Sequence, residues 1–151
     1  MDAGPDFRFA RGTMQQRAAT PEAMEELGRA AAAAVHPGSV IALCGGLGVG
    51  KTLWTKGLVA ALGSPAEVTS PTFALVHEYP GAGMAVFHLD FYRLENDQEL
   101  IALGWDEYLD ADGVIIAEWA DKFPELLPPL TKWLRFAIED DGSRTIRETT
   151  L

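Results

Sequence analysis

The stretch Ser39-Val40-Ile41-Ala42-Leu43-Cys44-Gly45-Gly46-Leu47-Gly48-Val49-Gly50-Lys51-Thr52 decides how the rest of the chain is read. Its first six residues are a short apolar run bounded by glycines, the pattern of a strand buried on both faces. The next eight fit G-x-x-x-x-G-K-[ST], the phosphate-binding P-loop. Each residue type follows from that task. Glycines let successive backbone N–H groups turn inward around an anion without Cβ clashes. The helix that follows points its positive end at the same phosphates. Lys51 reaches the β and γ phosphates as a mobile point charge, and the Thr52 hydroxyl is of the type that coordinates Mg²⁺. The segment predicts a strand, a cradle and a helix around a bound nucleoside triphosphate. A glycine turn without a ligand is the bland alternative, and the strand and helix patterns on either side disfavour it.

Outward from this segment, 51–62 reads as a helix with Trp54, Leu58 and Leu62 on one face, closed by Gly63 and followed by Ser64-Pro65. Upstream, Thr20-Pro21-Glu22 supplies an N-cap, a proline at the first helical position and an early acid. Met24, Leu27, Ala31 and Val35 recur at helical spacing until His36-Pro37-Gly38 stops the run. A short strand is expected near 7–10. Arg8 and Arg11 lie there without the apolar stretch of a secretory signal, and a transit peptide is the minority reading. Downstream, strands are expected over 72–79 and 84–89 around the turn Pro80-Gly81-Ala82-Gly83. A helix is expected from Asn96 to Gly104, with Glu99 in capping-box position. Val114-Ile115-Ile116-Ala117 is a second continuous apolar run, ending in Glu118. Leu134, Phe136 and Ile138 alternate before Asp140-Asp141-Gly142 and 144–149, a hairpin signal and hence an antiparallel edge.

Composition bounds the rest. The chain has 151 residues, 48% of them apolar, which fits one domain over 1–151 with 1–6 and 149–151 frayed. The single Cys44 has no intrachain partner for a disulfide, which favours a reducing, cytoplasmic setting. Apolar runs such as 30–35 are far short of the roughly 18 residues a membrane span needs. Twelve Lys and Arg against 22 Asp and Glu make the net charge −10, with no basic cluster to neutralise phosphates. Direct, independent binding of nucleic acid is therefore disfavoured.

A P-loop also needs a carboxylate near its metal, normally at the end of an apolar strand. Asp90 and Glu118 both stand in such positions, and spacing leaves open which of them binds Mg²⁺ and which orients the attacking water. His88, two before Asp90, points to the same side of a strand; a core histidine and a catalytic one are equally compatible with that. Arg93 is read as an ion-pair partner ahead of an arginine finger. Trp119 either stacks on a base or covers the site, with a core aromatic as the alternative. Cys44 reads as a small buried hydrophobe.

Gly45 to Thr52, then Ser70-Pro71-Thr72-Phe73, then His88-Leu89-Asp90-Phe91-Tyr92-Arg93-Leu94, then Glu118-Trp119, occur in that order in a short chain. The set resembles the TsaE (YjeE) family, the bacterial ATPase subunit of the machinery that makes threonylcarbamoyladenosine (t6A) in tRNA, over roughly residues 20–128. The resemblance implies an α/β fold, a P-loop NTPase-like three-layer sandwich with a central, mostly parallel sheet and antiparallel additions. It implies ATP bound by Gly45, Gly46, Leu47, Gly48, Val49, Gly50, Lys51, Thr52 and Leu53, with Thr72 and Trp119 beside it. Lys51, Asp90 and Glu118 would be catalytic, and Thr52, Glu118 and Asp90 would stand near Mg²⁺. Ser70-Pro71-Thr72 would act as a switch-like loop sensing the γ-phosphate. The partners implied are the two transferase-complex subunits, TsaD and TsaB, with ANN-decoding tRNA met through that complex and no membrane involved. Two positions depart from the family loop: Gly46 stands where an acid is common, and Leu53 where a second threonine is common. Binding is expected to persist without that hydroxyl, though the usual rate is not assumed. Two other readings compete. A small P-loop kinase needs an arginine-bearing lid, and only Arg93 falls between residues 53 and 134. A nucleotide-responsive binding module with negligible turnover would use ATP merely to order the loop at Ser70 to Phe73.

Overall fold

In the computed structural model residues 15–46 and 48–149 are described; the expected strand at 7–10, the frayed 1–6 and Leu47 lie outside the described residues. The strands are β1 (Gln15–Ala18), β2 (Val40–Cys44), β3 (Val76–Pro80), β4 (Ala85–Asp90), β5 (Val114–Glu118), β6 (Lys132–Ile138) and β7 (Arg144–Thr149). The helices are α1 (Pro21–Ala31), α2 (Lys51–Ala61), α3 (Asp97–Leu103) and α4 (Trp105–Leu109). Among the described residues the strands form one sheet in the order β1-β7-β6-β2-β5-β4-β3. The inner strands β6, β2, β5 and β4 run parallel. Antiparallel pairs flank them on both sides.

Alternation along the parallel strands sorts side chains to two faces. Ile41, Leu43, Val86, Val114, Ile116, Leu134 and Phe136 join Met24, Trp54 and Leu58 of α1 and α2 in one core. Val40, Ala42, Phe87, Leu89, Ile115 and Ala117 join Leu100, Trp105 and Phe123 in a second, on the side of α3 and α4. Every residue of β2 and β5 is buried, as continuous apolar runs in a parallel sheet require. Helices on both faces of a mostly parallel sheet make the expected three-layer α/β sandwich. Among the described residues no helix is long and apolar enough to cross a membrane.

Thr20 caps α1 by accepting from the Ala23 N–H, and Pro21 opens the helix. Asn96 caps α3 by accepting from the Glu99 N–H, while Glu99 reaches the N–H of Glu95 rather than that of Asn96. The two helices of the first layer touch backbone to backbone. A Cβ on Gly28 would sit 1.9 Å from the Trp54 carbonyl oxygen, and one on Gly57 2.0 Å from that of Glu25.

Several expectations are corrected. The strand expected over 72–79 begins only at Val76; 72–75 is a turn, closed by the Leu75 N–H donating to the Pro71 carbonyl. The α1 helix ends at Ala31 and tightens into a short 3-10 turn over Ala32–Ala34 before Val35 turns extended. Pro80 belongs to β3, and the turn is 81–84, with the Gly81 N–H on the Met84 carbonyl. The β6–β7 hairpin is not an edge, because β1 pairs along β7 and covers its free backbone groups. Thr149 is the last residue of β7 and pairs with Trp133. Strand β1 and helix α4 are too short, at four and five residues, to show a period.

Candidate functional site

The loop after β2 turns sharply at Gly45 (φ 137°), where a Cβ would lie 2.7 Å from the Phe136 carbonyl oxygen. Gly50 (φ 106°) stands at the N-cap of α2 and offers no side chain to its first N–H groups. Those donors are left for an anion. The Lys51 ammonium, almost fully buried, folds back to donate to the Gly45 carbonyl at 2.7 Å. Burial lowers its pKa, and the nearby carboxylates of Glu118 and Asp90 pull it partly back. Its hydrogen bond goes to a neutral carbonyl, a contact a phosphate-binding lysine can trade for a charged phosphate oxygen.

The acids come from two neighbouring strands. Leu43 of β2 pairs with Glu118, and Asp90 of β4 pairs with Glu118 from the other side. Their side chains share one sheet face, and both are buried. Glu118 Oε1 lies 4.0 Å from Lys51 Nζ, while Oε2 lies 2.6 Å from His88 Nε2. Asp90 is tied by both oxygens: Oδ1 accepts from the Tyr92 N–H and Oδ2 from the Thr72 hydroxyl, each at 2.8 Å. Since that hydroxyl's one proton goes to Asp90, Ser70 Oγ donates to Thr72 Oγ1, 2.8 Å away. The loop from Ser70 is thus latched to the end of β4.

Trp119 takes left-handed backbone (φ 57°), a strained setting for a bulky residue. Its N–H donates to the Leu43 carbonyl, and its ring lies 4.4 Å from Lys51 Nζ and 4.9 Å from the Tyr92 ring. It is a half-buried cover over the lysine rather than a core aromatic. Arg93 forms no ion pair among the described residues, contrary to expectation. Its exposed guanidinium stacks 5.0 Å from the ring of Phe73, itself 83% exposed. Cys44 is fully buried, and burial above all pushes its thiol pKa up to about 11, so it behaves as a small hydrophobe.

These groups line a cavity of about 360 Å³ containing Gly48, Gly50, Lys51, Thr52, Leu53, Thr72, Asp90, Glu118 and Trp119. Gly45 acts through its carbonyl, Val49 packs in the core, and a Cβ at Gly46 would meet nothing within 4 Å. Ala19, Thr20, Pro21, Met24, Ser70 and Arg144 complete the wall. Arg144 donates to the Gly48 carbonyl at 3.1 Å from the start of β7, a contact no local motif announces. Among the described residues no three His, Cys, Asp or Glu side chains form a metal cage. A cation here would rest on Thr52, one or two carboxylates and the oxygens of a phosphate ligand. That mode suits Mg²⁺, which keeps few protein ligands.

A buried parallel strand, a glycine loop with its lysine and threonine, and acids on the adjoining strand ends define a P-loop NTPase-like protein. Residues 18–148 match the family model of the threonylcarbamoyl adenosine biosynthesis protein TsaE. The chain belongs to the TsaE family. It is 40% identical over 115 residues to the tRNA threonylcarbamoyladenosine biosynthesis protein TsaE of Bacillus subtilis (strain 168), across 76% of this chain and 72% of that one. The TsaE of Treponema pallidum (strain Nichols) is 37% identical over 112 residues, across 74% and 82%. The crystal structure of Bacillus subtilis YdiB aligns with a TM-score of 0.77 and 32% identity, covering 91% of this chain and 84% of that one.

Proposed function

We propose that this chain binds ATP with Mg²⁺ on the 45–52 loop and hydrolyses it as the nucleotide-driven subunit of t6A formation on ANN-decoding tRNAs. It acts in the cytoplasm with TsaD and TsaB and does not itself modify tRNA. One observation carries the reading: Lys51, Glu118 and Asp90 converge where the parallel strands β2, β5 and β4 end. Ligands of open α/β sheets bind outside the carboxyl ends of their strands.

Lys51 would exchange the Gly45 carbonyl for phosphate oxygens, a closer negative partner than Glu118 at 4.0 Å. Thr52, with Glu118 at the end of β5, would hold the metal, whose charge, when bound, would offset that of the phosphates. Release of the Thr72 hydroxyl frees Asp90 Oδ2 to accept a proton from the attacking water, which couples the loop to hydrolysis. Trp119 shields the lysine from solvent. The net charge of −10 suits a subunit that meets tRNA through other proteins.

Steady-state ATP hydrolysis with and without Mg²⁺, alone and with TsaD and TsaB, tests the proposal. Slow, metal-dependent turnover that changes when the partners are added is the expected result. Turnover indifferent to them would break the link to t6A formation.

A further inference from the structure

His88 of β4 is completely buried, does not line the cavity and has no part in the hydrolysis described above. Its Nε2 lies 2.6 Å from Glu118 Oε2. Its other nitrogen, Nδ1, is buried with no hydrogen-bond partner. The Tyr79 ring lies 6.2 Å from the imidazole, and Ile116 stands opposite His88 in the ladder. We infer that His88 is a positioning residue for Glu118: its Nε2–H donates to Oε2 and so dedicates Oε1 to the nucleotide site.

The tautomer follows from where acceptors are. A proton on Nδ1 would be a buried donor facing nothing, whereas a proton on Nε2 meets a carboxylate oxygen. A lone pair left at Nδ1 is the smaller loss. The consequence lies at the other oxygen. Oε1 sits 4.0 Å from Lys51 Nζ, the outer limit of an ion pair. A carboxylate free to rotate would close on that buried ammonium and hold it away from phosphate. With Oε2 anchored, Glu118 keeps its distance, and both groups stay available to the ligand. Outer partners of this kind set the orientation and basicity of an inner acid. A histidine that merely filled space would need no donor on Oε2.

Two measurements separate these roles, and the second rests on the hydrolase reading. In nucleotide-free protein labelled with ¹⁵N-histidine, correlation spectra should show Nε2 protonated and Nδ1 bare; a proton on Nδ1 would overturn the inference. In steady-state kinetics, His88→Leu should lower kcat by about 10–100-fold, the usual cost of losing such a partner, with KM unchanged. His88→Gln places an amide N–H where Nε2 stood and should recover most of that loss. Equal losses in both variants, tracking their melting temperatures, would make His88 a space-filling residue and overturn the inference. If the unmodified protein shows Nε2–H yet hydrolyses no nucleotide, the hydrolase reading fails and the tautomer assignment stands.

Discussion

Lys51 illustrates how a single side chain carries a prediction. Its ammonium is buried, its pKa is lowered by that burial, and its nearest partner is one carbonyl. Lys51→Ala should weaken ATP binding by about 10–100-fold, the worth of a charge-assisted hydrogen bond of roughly 1.5–3 kcal/mol, and abolish hydrolysis; a nucleotide titration and a phosphate-release assay check both. Glu118→Gln removes a charge and little volume, and a glutamine carbonyl can still accept from His88. Hydrolysis should fall about 10²-fold or more, as for loss of a general base or metal-linked acid, while the melting temperature stays near that of the unmodified protein. At this scale the sequence was informative about identity and blind to company. The P-loop is contiguous, so its chemistry is legible from spacing alone. The ties from Thr72 to Asp90 and from His88 to Glu118 join residues 18 and 30 positions apart, and no local pattern encodes them. Arg144 reaches across 96 positions to Gly48 and was missed for the same reason.

At the scale of elements, the α1–α2 contact depends on two glycines that periodicity does not single out. Gly57→Ala would gain about 1 kcal/mol of helix propensity against a Cβ 2.0 Å from the Glu25 carbonyl oxygen. Backbone cannot yield there as a flexible side chain would, so the clash wins. A net destabilisation of about 2 kcal/mol or more is expected, at the upper end of overpacking, readable by urea denaturation. The β6–β7 hairpin carries a pH prediction. Burial raises the pKa of Glu148 above 4.5, and Lys132 at 3.7 Å offsets only part of that. The folded state therefore holds this proton more tightly than the unfolded state. Its contribution to stability is present below the unfolded value and is lost as pH rises through the folded one. Glu148→Gln should flatten that slope, leaving the variant the more stable at pH 7, with the difference closing below about pH 4; thermal melts across pH read it directly.

For the whole molecule, charge decides what it can meet unaided. With a net charge of −10 and no basic cluster, the isolated chain should retain no tRNA at about 0.1 M salt, and retention should appear only with TsaD and TsaB; fluorescence anisotropy of labelled tRNA tests this. The sequence by itself determined the β2–loop–α2 unit, the helix caps at Thr20 and Asn96 and the identity of the two acids. Each depends on neighbours in the chain and on the chemistry of the side chain itself. Only the tertiary structure decided that β2 lies beside β5 and β5 beside β4, and that β1 covers β7. It also decided that 72–75 is a latch on Asp90 rather than strand. Strand order is set by which buried faces pack together over long separations, and that order is what brings Lys51, Glu118, Asp90 and His88 to one place.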